Sequence, residues 1–358
     1  MNFLKSFCCT VIFACCLLPI GSYAQDFSNA SSENKELIAK NMLLYQRSNG
    51  GWPKHFKEKS IDYSKPLTEA DQIIIKANYA SGKDATIDNY ATIKEIRFLA
   101  DYFAESNKKE YLDAVEKGIS YLLKAQYANG GWPQFYPDLS NYRHLITYND
   151  NAMVNVLTLL QDVSEGKNNM GIVDKSFIAK ASEAVKRGID CILKSQIKVD
   201  GKLTVWCAQH DEKTLQPANA RSFELISLSG SESAAIVQFL MNQKNPSEEM
   251  KNAIVNAVKW FDQAKIRGYK FEVSRDPVKG KQHNLVKDAN SVIWARFYDI
   301  SSGEPFFSGR DGVKKKSIYE IEAERRNGYA WYGTWPGKVL KEYPKWASIN
   351  LVNSVTVK

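Results

Sequence analysis

The chain has few of the residues that usually announce chemistry or cross-linking. Cys8, Cys9, Cys15 and Cys16 crowd the N-terminus, and only Cys191 and Cys207 lie beyond it. Two cysteines do not make a disulfide framework; a single bridge and two buried thiols both remain open. The four histidines, His55, His144, His210 and His283, are scattered, with no zinc-ligand spacing and no nucleophile pairing. No dense Lys/Arg run with interleaved aromatics points to nucleic acid. Past the first residues no apolar stretch is long enough to span a bilayer.

The N-terminus is different. Lys5 precedes an apolar run from Cys8 to Ile20, followed by Ser22-Tyr23-Ala24-Gln25. A basic start, a short apolar core and a small-x-small end describe a secretory signal peptide over residues 1–24. Cys15 and Cys16 suggest a lipoprotein anchor, which Phe13 and the short apolar core fit badly. Export to the periplasm or outside the cell is expected, and residues 25–358 are expected to form one catalytic domain. Losing Lys5 lowers the formal charge from +8 to +7. That excess suits an anionic substrate but is weak evidence alone.

What the sequence does contain is a repeat. Asn49-Gly50-Gly51-Trp52-Pro53 returns as Asn129-Gly130-Gly131-Trp132-Pro133. Each copy follows a helix-like run ending in Gln46 or Gln126, and each precedes an Asp-Asn pair, Asp88-Asn89 or Asp150-Asn151. Fainter echoes end at Gln196 before Gly201 and at Gln263 before Gly268. Such spacing holds two helices and their loops. Helical periodicity covers 34–46, and Ser31 or Ser32 can cap that helix. Three helix pairs follow: the helix from Asp88 with 108–126, 152–160 with 177–196, and 233–241 with 250–264. Their short connections force antiparallel packing. Residues 291–298 read as helix, 318–325 as a short helix, and the aromatic tail after Tyr329 as a segment lying across the body. The fold class expected is all-α: an α/α toroid-like, incomplete double ring of helix pairs, with irregular loops and few short strands.

In such a ring the Gly-Gly-Trp loops and the Asp-Asn pairs share one face. Asp88, Asn89 and Asp150 offer hard oxygen ligands for Ca²⁺; the plainer expectation is that the Asp residues cap helices, and the two roles are compatible. Arg221 has small neighbours that leave room for a ligand. Arg296 sits between aromatics, and Arg310 has Gly309 and Gly312 close by, so its backbone can approach a cleft. Each arginine taken singly is more often a structural ion pair, as Arg221 with Glu224 or Arg310 with Asp311. Trp206 suits a sugar-stacking platform at a rim, and a core position equally well. Glu224 and Glu232 offer carboxylates for a glycosidase pair, at a separation the sequence does not fix.

These segments together resemble the pectate lyases of polysaccharide lyase family ten. The resemblance rests on the Asn-Gly-Gly-Trp-Pro copies, Asp88-Asn89-Tyr90-Ala91-Thr92, Thr147-Tyr148-Asn149-Asp150-Asn151-Ala152 and Val205-Trp206-Cys207-Ala208-Gln209-His210-Asp211. It continues through Arg221-Ser222-Phe223-Glu224, Ile293-Trp294-Ala295-Arg296-Phe297-Tyr298, Phe307-Ser308-Gly309-Arg310-Asp311-Gly312 and Glu324-Arg325-Arg326-Asn327-Gly328-Tyr329. It implies Ca²⁺-assisted β-elimination on α-1,4-linked polygalacturonate, with Arg221 as the base. It also implies Asp88, Asn89 and Asp150 as the calcium region, and Arg296 and Arg310 as holders of substrate carboxylates. A monomer is expected. Two rivals stand beside this. An isoprenoid-cyclase-like toroid matches the Gln-x-x-x-Gly-x-Trp spacing but lacks an Asp-rich cluster. A non-catalytic acidic-glycan-binding protein would use the same Trp, Arg and Ca²⁺ features.

Overall fold

Each repeated segment becomes a helix tied by its last residues to the next pair. The computed structural model describes residues 31–351 apart from Lys279, so the signal-like segment lies outside the described residues. Ten α-helices occur among them: α1 (Ser32–Tyr45), α2 (Glu69–Ala77), α3 (Ile93–Ser106), α4 (Lys109–Ala125), α5 (Ala152–Glu165), α6 (Ser176–Ser195), α7 (Glu232–Met241), α8 (Glu248–Gln263), α9 (Ala323–Gly328) and α10 (Pro336–Asn350). Ser31 caps α1, accepting from Asn34 N–H. Asn107 closes α3 in the left-handed conformation, its N–H on the Phe103 carbonyl at 2.8 Å, and α4 starts two residues later.

Helices α3, α5 and α7 touch in series, and α4, α6 and α8 do the same. Their sequences explain the two rows. In α4 the buried residues Tyr111, Val115, Ile119 and Leu122 fall on one stripe, as Ala181, Val185, Gly188 and Ile192 do in α6. Helix α5 buries Met153, Val154, Val156, Leu157, Leu159 and Leu160, more than one stripe, because both rows cover it.

The conserved spacing within the chain has a mechanical meaning. Gln46 Nε2 donates to its own loop at the Gly50 carbonyl and to Ala114 of α4, both at 2.9 Å. Gln126 does the same with Gly130 and Ala184 of α6, at 3.0 and 2.8 Å. Gln196 does it with Thr204 and Ala253 of α8, at 2.9 and 3.0 Å. The loop tryptophans turn inward: Trp52, Trp132 and Trp206 donate Nε1–H to the Met42, Leu122 and Ile192 carbonyls at 2.8, 2.8 and 2.7 Å. All three are fully buried. This corrects the stacking role for Trp206: its indole fills the core where its two counterparts do, and has no face for a sugar.

A fourth turn of the pattern is also present. Trp294 Nε1–H donates to the Phe261 carbonyl of α8 at 2.8 Å. Here the loop has grown into a long antiparallel hairpin, Ile266–Asp276 against Gly280–Ala295, with a bulge between Arg267 and Tyr269. Residues 291–295 and 297–298 are therefore strand, not helix, with Arg296 at a bend between them; Val292, Ile293, Trp294, Phe297 and Tyr298 are β-branched and aromatic, which favours extended backbone. The tail contains α10, opened by Pro336 and packed on α7 and α8. Cys191 and Cys207 are two buried free thiols.

Candidate active site

At the heads of α3 and α5 the chain makes two tight 3-10 turns, Asp88–Tyr90 and Asn149–Asn151, which touch each other. Asn89, Asp150 and Asn151 sit at φ of 51°, 51° and 62°. Asn and Asp tolerate this left-handed backbone better than other side chains, which accounts for the Asp-Asn pairs. Neither Asp caps a helix. The N-cap positions are Thr92 and Asn151, without side-chain capping bonds, so the capping expectation fails and both carboxylates are free for other work.

Asp88 is buried, with Oδ2 against the Lys54 ammonium and Oδ1 without a protein partner. Asp150 accepts from Asn149 Nδ2 at 2.9 Å and from Arg296 Nη2 at 3.0 Å. Burial pushes the Asp150 carboxyl up, but Arg296, with Arg221 and Lys54 behind it, outweighs this and holds it below the usual carboxylate range. Arg296 Nη2 also donates to Asn149 Oδ1 at 3.1 Å and to Glu232, itself held by the Ser229 hydroxyl. The Arg296 guanidinium lies 4.5 Å from the Tyr329 ring centroid.

Arg221 donates from Nε to Glu224 at 2.9 Å and lies over the rings of Phe223 and Tyr142. Lys54, Asn89, Asp150, Arg221, Arg296 and Arg325 line one cavity of about 910 Å³. Asp88 joins them through Lys54. The folded chain thus gathers Asp88, Asn89, Asp150, Arg221 and Arg296 from four separate stretches. Arg310 stands apart: its side chain is 63 % exposed and bonds Glu324 at 3.2 and 3.1 Å, outside the cavity lining.

Four contributors escaped the sequence reading. Lys54 follows Trp52-Pro53 directly, where the second copy has Gln134. Glu232, weighed only as a glycosidase acid, is the buried partner of Arg296. Arg325 stacks 3.6 Å from the Phe223 ring centroid, with Nε and Nη2 unpartnered, and Tyr329 packs beside it. Burial lowers the Arg325 pKa from its ordinary value. The signal for Arg325 and Tyr329 lay in the Glu324-to-Tyr329 stretch, where two arginines precede an aromatic.

Among the described residues no group of three or more His, Cys, Asp or Glu side chains is placed to hold a metal. The oxygens on hand are two carboxylates and an amide, one carboxylate oxygen being orphaned. That set suits a hard, oxygen-seeking cation whose shell is completed by water and an anionic ligand, and not a soft or imidazole-bound metal.

A family model described as pectic acid lyase matches residues 46–340. Comparison with curated proteins gives no match. Among solved structures, the family 10 polysaccharide lyase from Cellvibrio cellulosa is 36 % identical, with a TM-score of 0.75, covering 87 % of this chain and 91 % of that one. An aspartate-to-alanine mutant of the family 10 polysaccharide lyase from the same organism, in complex with trigalacturonic acid, is 35 % identical, with a TM-score of 0.76 and coverage of 89 % and 95 %.

Proposed function

The chain belongs to the pectic acid lyase family, which are polysaccharide lyases, and on that premise we propose that it cleaves α-1,4-linked polygalacturonate by β-elimination. The observation that carries this reading is one cavity in which Lys54, Arg221, Arg296 and Arg325 meet the Asp150 carboxylate, with the Asp88 carboxylate buried behind Lys54. Such a cavity suits a uronic acid: its cationic groups face the sugar carboxylate, and its acidic oxygens need a cation between themselves and that carboxylate.

In the elimination Arg221 takes the C5 proton, which the adjacent uronate carboxylate acidifies. The electron pair left at C5 forms the C4=C5 double bond, the C4–O bond breaks, and the departing sugar oxygen takes a proton from solvent. Negative charge builds on the uronate carboxylate during proton removal. Cationic groups fixed before the reaction stabilise that charge without reorganising. Calcium held by Asp88, Asn89 and Asp150 would supply further charge of the same kind. Arg296 anchors Asp150, and the exposed Arg310 has no part in this reading.

The double row of helices reads as an incomplete α/α toroid with its loops at the working end. Among the described residues no helix is long and apolar enough to cross a membrane. We take the N-terminal segment as a signal peptide and the enzyme as periplasmic or secreted.

The deciding experiment follows ultraviolet absorbance of unsaturated uronide as polygalacturonate is digested, with Ca²⁺ and with chelator. Absorbance that rises with Ca²⁺ and stops with chelator supports the reading. New reducing ends without absorbance would mean hydrolysis, and binding without either would mean a glycan-binding protein.

A further inference from the structure

The Lys54–Asp88 pair occupies an unusual place. Asp88 is essentially sealed from solvent and Lys54 nearly so, with side-chain exposures of 1 % and 19 %. A buried carboxylate without a compensating charge is costly, and the Lys54 ammonium supplies that charge. The other oxygen, Oδ1, has no protein partner. Lys54 also borders the cavity with Asn89 and Asp150, and is among the cations that favour ionised Asp150. In the second copy of the loop the same position holds Gln134, whose carbonyl accepts from Thr86 and Ile87. A cation at this position is therefore particular to the first loop.

We propose that the Lys54 ammonium is the resident counter-ion of Asp88, and that a divalent cation must displace it to reach the carboxylates. This rests on the calcium reading given above. A divalent ion brought to the same buried carboxylate repels the ammonium at close range, so on this proposal binding is an exchange in which the divalent ion enters and the ammonium leaves. A lysine suits the task, being a point charge on a flexible four-carbon stem. Lys54 lines the cavity, so the displaced ammonium has that space to move into, where the proposed function places the anionic sugar. Cation and substrate then help each other: the ion frees Lys54 for the sugar carboxylate, and that carboxylate keeps Lys54 from returning. By reciprocity, substrate tightens cation binding by the factor with which the cation tightens substrate binding.

The test is calorimetric titration of the full chain with Ca²⁺ in the absence of substrate, using wild type, Lys54→Met, Lys54→Arg and Asp88→Asn. Lys54→Met should bind Ca²⁺ about tenfold more tightly, the effect of removing one unit charge a few ångströms away. Lys54→Arg should return towards wild-type affinity, and Asp88→Asn should lose binding. Thermal melts give a second readout: in chelator Lys54→Met should melt below wild type, and Ca²⁺ should raise its midpoint more than that of wild type. Equal or weaker Ca²⁺ binding by Lys54→Met, with wild type binding normally, overturns the exchange and leaves the calcium reading intact. Lys54→Arg binding as tightly as Lys54→Met also overturns it, because the charge would then not matter. No heat from any of the four proteins, either alone or with galacturonate present to complete the ion's shell, overturns the calcium reading, and the exchange with it.

Discussion

Arg221 and Glu224 share a hydrogen bond of 2.9 Å, and Tyr329 reaches the other oxygen of the same carboxylate at 3.4 Å. Burial works to lower the Arg221 pKa, but the charge and hydrogen bond of Glu224 outweigh it, and the guanidinium is held above its ordinary value. The group proposed as base is thus kept protonated by its own neighbour. If Arg221 is the base as proposed, Glu224 is the residue expected to set the pH dependence of the reaction.

The first expectation follows from that sign. A base acts when deprotonated, so kcat/KM should climb with pH across the alkaline range, without a plateau below the limit of stability. Glu224→Gln keeps the shape of the side chain and removes the charge. It should lower the Arg221 pKa and raise the relative rate near neutral pH. An unshifted pH–rate profile for Glu224→Gln would remove Arg221 as the titrating group.

Arg221 itself should matter to rate and also to stability, since its own side chain is 33 % exposed but it is the partner of the Glu224 carboxylate, which is 1 % exposed. Arg221→Ala should lower kcat by roughly 10²–10⁴-fold, the usual worth of a positioned acid or base, with a smaller change in KM. Arg221→Lys should fall between the two. Steady-state kinetics beside a melting curve separates this from misfolding; near-native turnover by Arg221→Ala would exclude it as base.

Glu232 and Arg296 are side chains of 1 % and 6 % exposure in contact. Stranding one charge of such a pair costs about 3–5 kcal/mol; here Arg296 keeps its 3.0 Å bond to Asp150, so the cost is expected at the low end of that range. Urea unfolding of Glu232→Ala should show a loss of that size, and Glu232→Gln a smaller one. Loss of activity without loss of stability would mean that Glu232 acts on substrate instead.

His210 is fully buried, receives the Cys207 N–H at Nε2 (3.1 Å) and lies 2.8 Å from the Leu215 carbonyl at Nδ1. Those partners suit the neutral ring, with its proton on Nδ1, and burial pulls the pKa down to about 4. Because the folded value lies below that of the unfolded chain, the contribution to stability is complete above about pH 6.5 and fades as pH falls toward 4. The loss is on the order of 3 kcal/mol. Chemical denaturation at stepped pH should show it, and His210→Gln should flatten that part of the curve.

Gly130 has φ of +93°, and an added Cβ would stand 2.0 Å from the Arg187 carbonyl oxygen of α6. Gly201, at φ of +75°, has nothing within 4 Å of that point. Gly130→Ala should therefore cost more than about 2 kcal/mol, and Gly201→Ala only about 1 kcal/mol of backbone strain. Equal losses would show that loop conformation matters and helix contact does not.

Much of this was legible in the sequence, for a physical reason. The helices of the paired rows carry 3.6-residue periodicity, so α4 to α8 fall where the apolar spacing puts them, while α3 begins at Ile93 and not at Asp88, which sits in a separate 3-10 turn. Other features are invisible to spacing. The run from Ser291 to Tyr298 is apolar at nearly every position, so no period separates strand from helix. A Trp looks the same inside or at a rim, although Trp206 repeats the place of Trp52 and Trp132. Lys54 meets Asp88 across 34 residues and Arg296 meets Asp150 across 146, distances at which only the folded chain decides who meets whom.

That last separation bears on how the protein is made. As the polypeptide leaves the ribosome, Asp150 emerges long before the guanidinium that will neutralise it. Helices α3 and α5 packed without the stretch that follows the hairpin would hold an acid lacking its base, and only the arrival of residue 296 closes the electrostatic balance. A chain ending before residue 296 lacks both the guanidinium that Asp150 pairs with and the α10 helix that packs on α7 and α8.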